Sequence, residues 1–476
     1  MTTDPARSRG HAATTFEQRA RIGLQTPGLA AALGRAMDQR ALQRVQAFAE
    51  TDEPAMRAAG EAIRAHTVAN LDRYLERFAE EAAERGTKVV FAETAAEAVG
   101  YVQQVLRDHG ARLVAKTKSM VSEEIGLNPA LASAGVEVIE TDLGEYIVQL
   151  AHEAPAHITT PAVHKTRGQI RDLFNRVHGV ELSDDPTELT RFARGVLREK
   201  FLAAEVGITG VNFAVAESGS LAIVTNEGNA RMCASLPRVH IALMGMERIV
   251  PSFRELSLML PLLTASAAGL GVTAYFTFVN GPRRPEEPDG PDEVHVVVID
   301  NGRSAILGGE FHSILHCIRC GACLNVCPVF RQVGGHAYGA VYGGPIGAVL
   351  APLLDGFEAA GDLPHASSLC IACTEVCPVN IPLHGHLRGL RREITRSRAT
   401  RAERLAFAWW GCLWGGVRAY RWSARLARMG QWPLVRRRRI RRAPFPLSRW
   451  TSARDMPALA RGSFRERWRR TEGRGK

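Results

Sequence analysis

The chain has 476 residues, of which 46% are hydrophobic, and a formal net charge of +11. A chain of this length and ordinary apolar content buries a large core and is expected to form two or three domains, which excludes a small module or a disordered protein. Its longest apolar stretch, residues 256–272, is interrupted by Pro261. We therefore interpret it as a core helix and its exit, not as a membrane span.

The predicted elements begin with a helical region. Residues 1–15 are polar, lack an apolar core or cleavage site for export, and are expected to be disordered. Residues 55–85 carry apolar side chains at helical spacing among charges, which predicts helices over residues 16–86. We assign residues 1–86 to this first region.

From residue 88 the pattern changes to short β-branched runs that alternate with helical stretches, which is typical of an α/β domain with a largely parallel sheet. Residues 210–216 and 220–225 flank Glu217-Ser218-Gly219 and predict a strand pair joined by a tight turn. We place this domain at residues 87–305. Its predicted sheet strands are residues 88–92, 112–116, 136–139, 239–244, 273–278 and 294–299.

Polar residues after these strands are candidate ligands, because α/β sheets bind ligands beyond the carboxyl ends of their strands. Lys116 and Lys118 are able to hold a carboxylate or phosphate, although such lysines are more often solvated. Glu217 is either a general base or nucleophile, or a polar turn residue. Three nearby histidines show no carboxylate at ligand spacing in the sequence, so we favour capping and packing roles over metal binding for them: His152, His157 and His164.

Seven of the nine cysteines lie in two short runs, and the first is a complete CxxCxxCxxxCP pattern. In this pattern three thiolates bind one 4Fe-4S cluster while the fourth binds the other cluster. The crossed pattern assigns Cys317, Cys320, Cys323 and Cys377 to the first cluster. It assigns Cys327, Cys370 and Cys373 to the second.

The second cluster is one cysteine short, because Ser367 stands where the run should begin. Three options remain: a four-iron cluster with a non-cysteine ligand, a three-iron cluster, or a four-iron cluster with an open iron site. Structural zinc sites use paired CxxC knuckles and fit this spacing poorly, and disulfides need an oxidising compartment. Cys233 and Cys412 lie outside the runs and are interpreted as small buried or interfacial hydrophobes.

Between the runs, residues 333–347 contain six glycines, which let backbone approach a neighbour closely. This segment is either a lining of the clusters or a flexible connector. The surroundings of both runs are rich in helical patterns, with Pro352 and Pro364 as breaks. We therefore predict an all-helical dicluster ferredoxin-like domain at residues 306–392.

The last region, residues 393–476, is basic and rich in tryptophan. Residues 391–476 hold 25 basic and 5 acidic residues, so they carry +20 and the remainder carries −9. All seven tryptophans also lie there. Such a composition suits a partner subunit or the membrane surface, or is simply a solvated face. Nucleic acid is the least favoured partner, because no nucleic-acid-binding motif accompanies the arginines.

Taken together, the motifs resemble the lactate utilization protein B family. The resemblance rests on Lys116-Thr-Lys-Ser-Met, Asn212-Phe-Ala-Val-Ala-Glu-Ser-Gly219, the two cysteine runs, Gly334-Gly-His-Ala-Tyr-Gly339 and Trp450-Thr-Ser-Ala-Arg-Asp-Met-Pro457. It implies a LUD-type first domain, similar in fold to sugar-phosphate isomerases and CoA-transferases. It also implies two 4Fe-4S clusters held by all seven cysteines in the crossed pattern.

The same resemblance implies a cytoplasmic electron-relay subunit in the oxidation of L-lactate to pyruvate. Its expected partners are a second cysteine-rich iron-sulfur subunit and a LUD-domain subunit, and its tail suggests contact with the inner membrane surface. One alternative is a self-contained hydroxy-acid oxidoreductase that binds its substrate through Lys116 or Lys118. The other is an iron-sulfur sensor that binds nucleic acid through the arginine-rich tail.

Overall fold

The computed structural model describes residues 14–472 except Pro446 and Ala453. Residues 1–13, most of the predicted disordered start, lie outside the described part. Thr15 instead caps the first helix, in a capping box with Gln18. Contacts divide the chain into two units, Met1–Ile394 and Thr395–Lys476, which are described separately.

Four helices open the first unit, which confirms the helical prediction for residues 16–86. Asp52 accepts a hydrogen bond from the Ala55 amide and so caps the third helix, whose second residue is Pro54. The helices are α1 (Phe16–Gln25), α2 (Leu29–Ala47), α3 (Glu53–Ala69) and α4 (Leu71–Glu84).

An α/β domain follows, as its alternating pattern predicts. Its elements in chain order are β1 (Lys88–Ala92), α5 (Ala95–Asp108), β2 (Leu113–Lys116), α6 (Met120–Glu124), α7 (Leu127–Ser133), β3 (Glu137–Glu140), α8 (Leu143–Leu150), α9 (Arg167–His178), α10 (Pro186–Ala203), β4 (Val206–Gly210), β5 (Phe213–Val215), β6 (Ser220–Thr225), α11 (Asn229–Ser235), β7 (Val239–Gly245), β8 (Ile249–Val250), α12 (Phe253–Ala268), β9 (Tyr275–Val279) and β10 (Glu293–Ile299).

The main sheet has six strands in the order β1-β10-β7-β4-β2-β3, and every neighbouring pair is parallel. Helices α5 to α7 cover one face, while α4 and α8 to α11 pack on the other. Every residue of β7 is buried, as expected for a central strand covered on both faces. Strand β3 is added on one side of β2, whereas β4, β7 and β10 follow on its other side. Parallel α/β sheets bind ligands at such a switch point, which lies here between β2 and β4.

A second sheet of four strands has the order β8-β5-β6-β9. Strands β5 and β6 are antiparallel, which confirms the predicted strand pair. Residues 273–278 were expected in the parallel sheet, but β9 pairs antiparallel with β6 in this second sheet. The prediction was wrong because a β-branched run identifies a strand without identifying its neighbour. The apolar stretch around Pro261 lies in α12, as predicted.

The cysteine-containing segment is helical, and no strand occurs in its described residues 303–398. Its helices are α13 (Arg303–Leu307), α14 (Ala322–Val326), α15 (Phe330–Val333), α16 (Gly344–Leu354), α17 (Gly356–Ala360), α18 (Ala372–Glu375) and α19 (Leu383–Arg398). Its core includes Leu33, Met37 and Val68 from the first helices as well as its own side chains. The first helices and the cysteine segment therefore share one hydrophobic core.

Arginines of the first helices also hold this segment by its backbone. Arg19 donates to the carbonyls of Ala337 and Tyr338, each at 3.0 Å. Arg57 donates to the Cys377 carbonyl at 2.9 Å. Each bond satisfies a backbone acceptor that has no partner in a regular element.

The second unit contains α20 (Arg401–Gly415), α21 (Val417–Gly430), α22 (Ser448–Thr451) and α23 (Phe464–Glu472). A two-stranded sheet pairs β11 (Arg439–Ile440) with β12 (Met456–Pro457). All seven tryptophans are exposed, and Cys412 is exposed as well, so of its two predicted roles the interfacial one remains. Within the described residues, no helix is both long and apolar enough to cross a membrane.

Candidate functional site

The fold brings cysteines of the two runs together around one small cavity. Cys317, Cys320 and Cys323 line it from the first run, and Cys377 lines it from the second. Burial first, and then the neighbouring Cys317 and Cys377 thiols, raise the pKa of the Cys320 thiol. These are the four residues that the crossed pattern groups together.

The other three cysteines form a second group. Burial and then the neighbouring thiols of Cys327 and Cys370 raise the pKa of Cys373 to about 11. Cys327 and Cys373 are buried, whereas Cys370 is exposed. The second group therefore lies closer to solvent than the first.

The two runs repeat the same backbone geometry at a distance of fifty residues. Arg319 and Gly321 flank Cys320 with φ of 58° and 77°, and Leu369 and Ile371 flank Cys370 with φ of 54° and 72°. Left-handed backbone at three non-glycine residues is costly and persists where the surrounding structure requires it.

The repeat extends to the residue that begins each run. The Arg319 amide donates to Cys317 Sγ at 3.4 Å, and the equivalent Leu369 amide donates to Ser367 Oγ at 3.1 Å. Ser367 therefore occupies the position equivalent to Cys317, as the alignment of the two runs predicts.

Further backbone amides point at the thiols, as expected around a sulfur-ligated cluster. Phe330 N donates to Cys327 Sγ at 3.5 Å, and Ile381 N donates to Cys377 Sγ at 3.4 Å. Such bonds stabilise charge on the sulfur atoms and tune the potential of a cluster.

The sulfur atoms of the cysteine groups lie farther apart than the ligands of a single zinc ion. Four thiolates around one zinc ion lie about 3.8 Å apart, given tetrahedral bonds of about 2.3 Å. Within the described residues, no three cysteine sulfurs lie within 4.8 Å of one another. The cysteine groups are therefore wider than a single zinc ion requires.

The glycine-rich segment between the runs packs closely against neighbouring backbone. A Cβ atom on Gly335 would lie 1.8 Å from the Ala156 carbonyl oxygen, so no other residue fits there without movement. The buried hydroxyl of Tyr338 in the same segment lies beside Cys327, and burial followed by this thiol raises the tyrosine pKa. The segment therefore lines the second cysteine group and is well packed.

A larger cavity of about 370 Å³ opens at the carboxyl ends of β2, β4 and β7, at the crevice that the strand order predicts. Ile158 and Arg319 line both this cavity, called the sheet pocket below, and the four-cysteine cavity. Five basic side chains line the sheet pocket, against three acidic ones. The basic residues are Arg40, Lys118, Arg248, Arg303 and Arg319, and the acidic ones are Asp142, Glu227 and Glu247.

The structure separates the two candidate lysines. Lys118 lines the sheet pocket and lies 3.4 Å from Asp142. Lys116 is buried and binds Glu140 at 2.5 Å, so it is neither a solvated side chain nor available to a ligand. The error arose because the partner of Lys116 comes from the next strand, which sequence spacing does not show.

Glu217 does not line the sheet pocket. Its Oε1 atom accepts a hydrogen bond of 2.7 Å from the Phe253 amide at the start of α12, which supports the reading as a polar turn residue. Cys233 is buried against Thr141, as expected for a small core hydrophobe.

The three histidines have different surroundings. His157 is buried, lies 3.2 Å from Asn325 and stacks edge-on against Phe330, which is a packing role. His152 is exposed. His164 lies 2.6 Å from Glu153, and together with His336 these side chains form a group close enough to hold an ion. The absence of a carboxylate at ligand spacing, assumed from the sequence, was therefore wrong.

Several residues of these sites carry no motif. Arg248 lines the sheet pocket and donates to the Cys317 carbonyl at 3.4 Å. Tyr342 stacks under Arg319 at 4.6 Å and donates to Glu124. The position of Arg248 shortly after the end of β7, a strand of the parallel sheet, was an available signal.

Comparison with known proteins gives three matches to family models. Residues 75–299 match the LUD domain, residues 313–381 match the 4Fe-4S dicluster domain, and residues 386–473 match the C-terminal domain of lactate utilisation protein B. In solved structures, a DUF162 family protein from Deinococcus radiodurans covers 48% of this chain and 98% of its own, at 17% identity and a TM-score of 0.28.

Curated relatives match over nearly the whole chain. Lactate utilization protein B of Bacillus licheniformis is 48% identical and covers 95% of each chain, and that of Oceanobacillus iheyensis is 51% identical over 87% of each. The protein of the same name from Bacillus cereus is 48% identical over 97% of this chain and 98% of its own. The chain therefore belongs to the lactate utilization protein B family, with an α/β LUD domain followed by a 4Fe-4S dicluster domain.

Proposed function

We propose that this chain is the iron-sulfur electron-transfer subunit of a system that oxidises L-lactate to pyruvate. The carrying observation is the cavity that Cys377 shares with Cys317, Cys320 and Cys323, in a chain of the lactate utilization protein B family. Bound 4Fe-4S clusters would supply one-electron transfer.

The proposed ligands of the first cluster are Cys317, Cys320, Cys323 and Cys377, and those of the second are Cys327, Cys370 and Cys373. The grouping of the thiols and the amides directed at their sulfur atoms support this assignment. The exposure of Cys370 supports the second cluster as the point of exchange with a partner. The expected partners are a second cysteine-rich iron-sulfur subunit and a LUD-domain subunit.

The proposed location is the cytoplasm. The exposed tryptophans and arginines of the second unit suit a partner subunit or the inner membrane surface.

The test is the visible spectrum of anaerobically purified protein after L-lactate alone, after L-lactate with both partner subunits, and after dithionite. We expect bleaching with dithionite and with the complete system, but not with L-lactate alone. Bleaching by L-lactate alone would instead make this chain the dehydrogenase itself.

Two cysteine variants, one in the first run and one outside both runs, test the ligand assignment. Cys323→Ser is expected to lose iron from the first cluster, whereas Cys412→Ser, at an exposed cysteine outside the runs, is expected to keep the full content. Equal iron in the two variants would contradict the assignment.

A further inference from the structure

We propose that the sheet pocket is a binding site for a small monocarboxylate of the 2-hydroxy or 2-oxo acid class, held by the guanidinium groups of Arg248 and Arg319. The inference rests on the proposed function, because it assigns part of the substrate site to this chain. The evidence is which basic side chains of the pocket already have hydrogen-bond or ion-pair partners and which do not.

Three of the five basic side chains in the pocket have partners that account for them. Arg303 binds Glu247 at 2.7 Å and Glu124 at 2.8 Å. Arg40 donates to the Ala267 carbonyl at 2.7 Å, and Lys118 contacts Asp142. These charges are used in holding the walls of the pocket.

Arg319 keeps an unused donor. Its side chain is 7% exposed, and its Nη2 atom donates to Glu247 at 3.3 Å. Its Nη1 atom is buried and has no hydrogen-bond partner within the described part of the chain. A buried donor without a partner is costly, and an anion in the pocket would satisfy it.

Arg248 supplies the second guanidinium. It makes no ion pair among the described residues, and its hydrogen bond to the Cys317 carbonyl is long at 3.4 Å. Arg248 and Arg319 both line the sheet pocket, so an anion bound there would relieve the repulsion between their guanidinium groups. A planar carboxylate matches the fork geometry of guanidinium groups.

The charge and size of the pocket limit the ligand. Five basic groups outnumber three carboxylates, so the pocket favours an anionic ligand. A volume of about 370 Å³ lies at the small end of ligand pockets, which suits a small acid. The buried Oδ1 atom of Asn229 lines the pocket without a partner among the described residues and is a candidate acceptor for the hydroxyl group.

The position of Arg319 places this site next to the first cysteine group. Arg319 lies between Cys317 and Cys320 in the sequence and lines both cavities. An acid bound in the sheet pocket would therefore share Arg319 with the first cysteine group, and its binding is expected to perturb a cluster held by that group.

The test is isothermal titration calorimetry of the full-length, cluster-loaded protein under anaerobic conditions at constant ionic strength. L-lactate, pyruvate, propionate and inorganic phosphate are the four probes. We expect one site for L-lactate and pyruvate, with weaker binding of propionate, which lacks the oxygen at the second carbon, and of phosphate. Phosphate binding as tight as that of L-lactate would overturn the proposal in favour of a general anion site.

Two arginines at opposite ends of β7 form a matched pair of variants. Arg248→Gln is expected to weaken L-lactate binding by about tenfold or more. Arg238→Gln removes an exposed arginine from the other end of the strand and is expected to leave binding unchanged. Equal affinities in the two variants would contradict the proposal.

Electron paramagnetic resonance of the dithionite-reduced wild-type protein gives a readout that does not depend on the variants. Pyruvate is expected to change the signal of the first cluster. No heat and no spectral change with either acid would overturn the pocket assignment alone, provided that the complete system still reduces the clusters. A protein without iron would instead overturn the proposed function.

Discussion

At the scale of single residues, the two cysteine runs differ at one of their four ligand positions. Ser367 has the backbone position and the amide donor that Cys317 has in the first run, but it presents oxygen in place of sulfur. A hydroxyl is a poor match for iron that is bound by soft thiolates and sulfide. The local fold therefore prepares a ligand position that the serine fills weakly.

A cysteine at this position should complete the second cluster. Ser367→Cys is expected to give two fully ligated four-iron clusters and to make the second less sensitive to iron loss in air. The matched control is Ser368→Cys, one residue along, which adds a thiol outside the repeat. Iron and sulfide analysis with Mössbauer spectroscopy measures the result, and identical spectra for both variants would contradict the equivalence of Ser367 and Cys317.

At the scale of elements, α3 joins both parts of the first unit through Arg64. This side chain is 1% exposed and donates to the carbonyls of Glu247, Ile249, Leu315 and His316. Burial lowers its pKa to about 10, which leaves it charged at neutral pH. One guanidinium therefore connects the end of β7 to the residues just before the first cysteine.

Replacing Arg64 should destabilise the first unit strongly. Arg64→Met leaves buried carbonyls without donors, which costs about 3 kcal/mol or more. Arg77→Met on the exposed side of α4 is the control and should change little. Thermal unfolding of the anaerobic protein checks this, and similar midpoints for both variants would show that the four bonds contribute little.

Helix α8 carries the buried carboxyl group of Glu145, whose ionisation makes the stability of the fold depend on pH. Burial first, then Glu140, raise the pKa of Glu145 to about 8, although Lys116 and Lys118 oppose this and Glu123 adds to it. Between a pKa of 4.5 in the unfolded chain and about 8 in the fold, folded Glu145 holds a proton that the unfolded chain has lost. The stability contributed by this group therefore falls as pH rises through that window.

Glu145→Gln should remove this dependence. We expect the variant to gain thermal stability over the wild type at about pH 8 and to gain less at about pH 6. Glu199→Gln, at an exposed glutamate of α10, is the control. A gain that is equal at both pH values would show that Glu145 does not titrate in this range.

At the scale of the whole molecule, some features of the first unit were predictable from the sequence and others were not. The cysteine runs were predictable because their spacing alone specifies soft ligands on tight loops. Strand β4 was missed because Gly207 and Gly210 weaken its pattern, although Gly207 lets the backbone of Cys233 approach closely. The pairing of Lys116 with Glu140, and of Arg64 with four carbonyls, depends on neighbours that only the fold brings together.

The division at Ile394 predicts that the second unit is dispensable for holding iron. A chain that ends at Ile394 is expected to keep the iron content and the unfolding midpoint of the full-length protein, because the cysteines and their packing neighbours precede this residue. A chain that begins at residue 87 is the contrasting variant and should lose iron, since it lacks helices that complete the core. Iron loss in the first truncation would show that the second unit supports the clusters.

The shared core also sets an order for biosynthesis. Helices α1 to α3 leave the ribosome well before residues 311–394, yet their apolar side chains pack against those later residues. Until then these helices expose surface that favours association with other chains. Insertion of the proposed clusters has to follow translation of both runs, so the cell is expected to protect the unfinished chain and to deliver iron to it late.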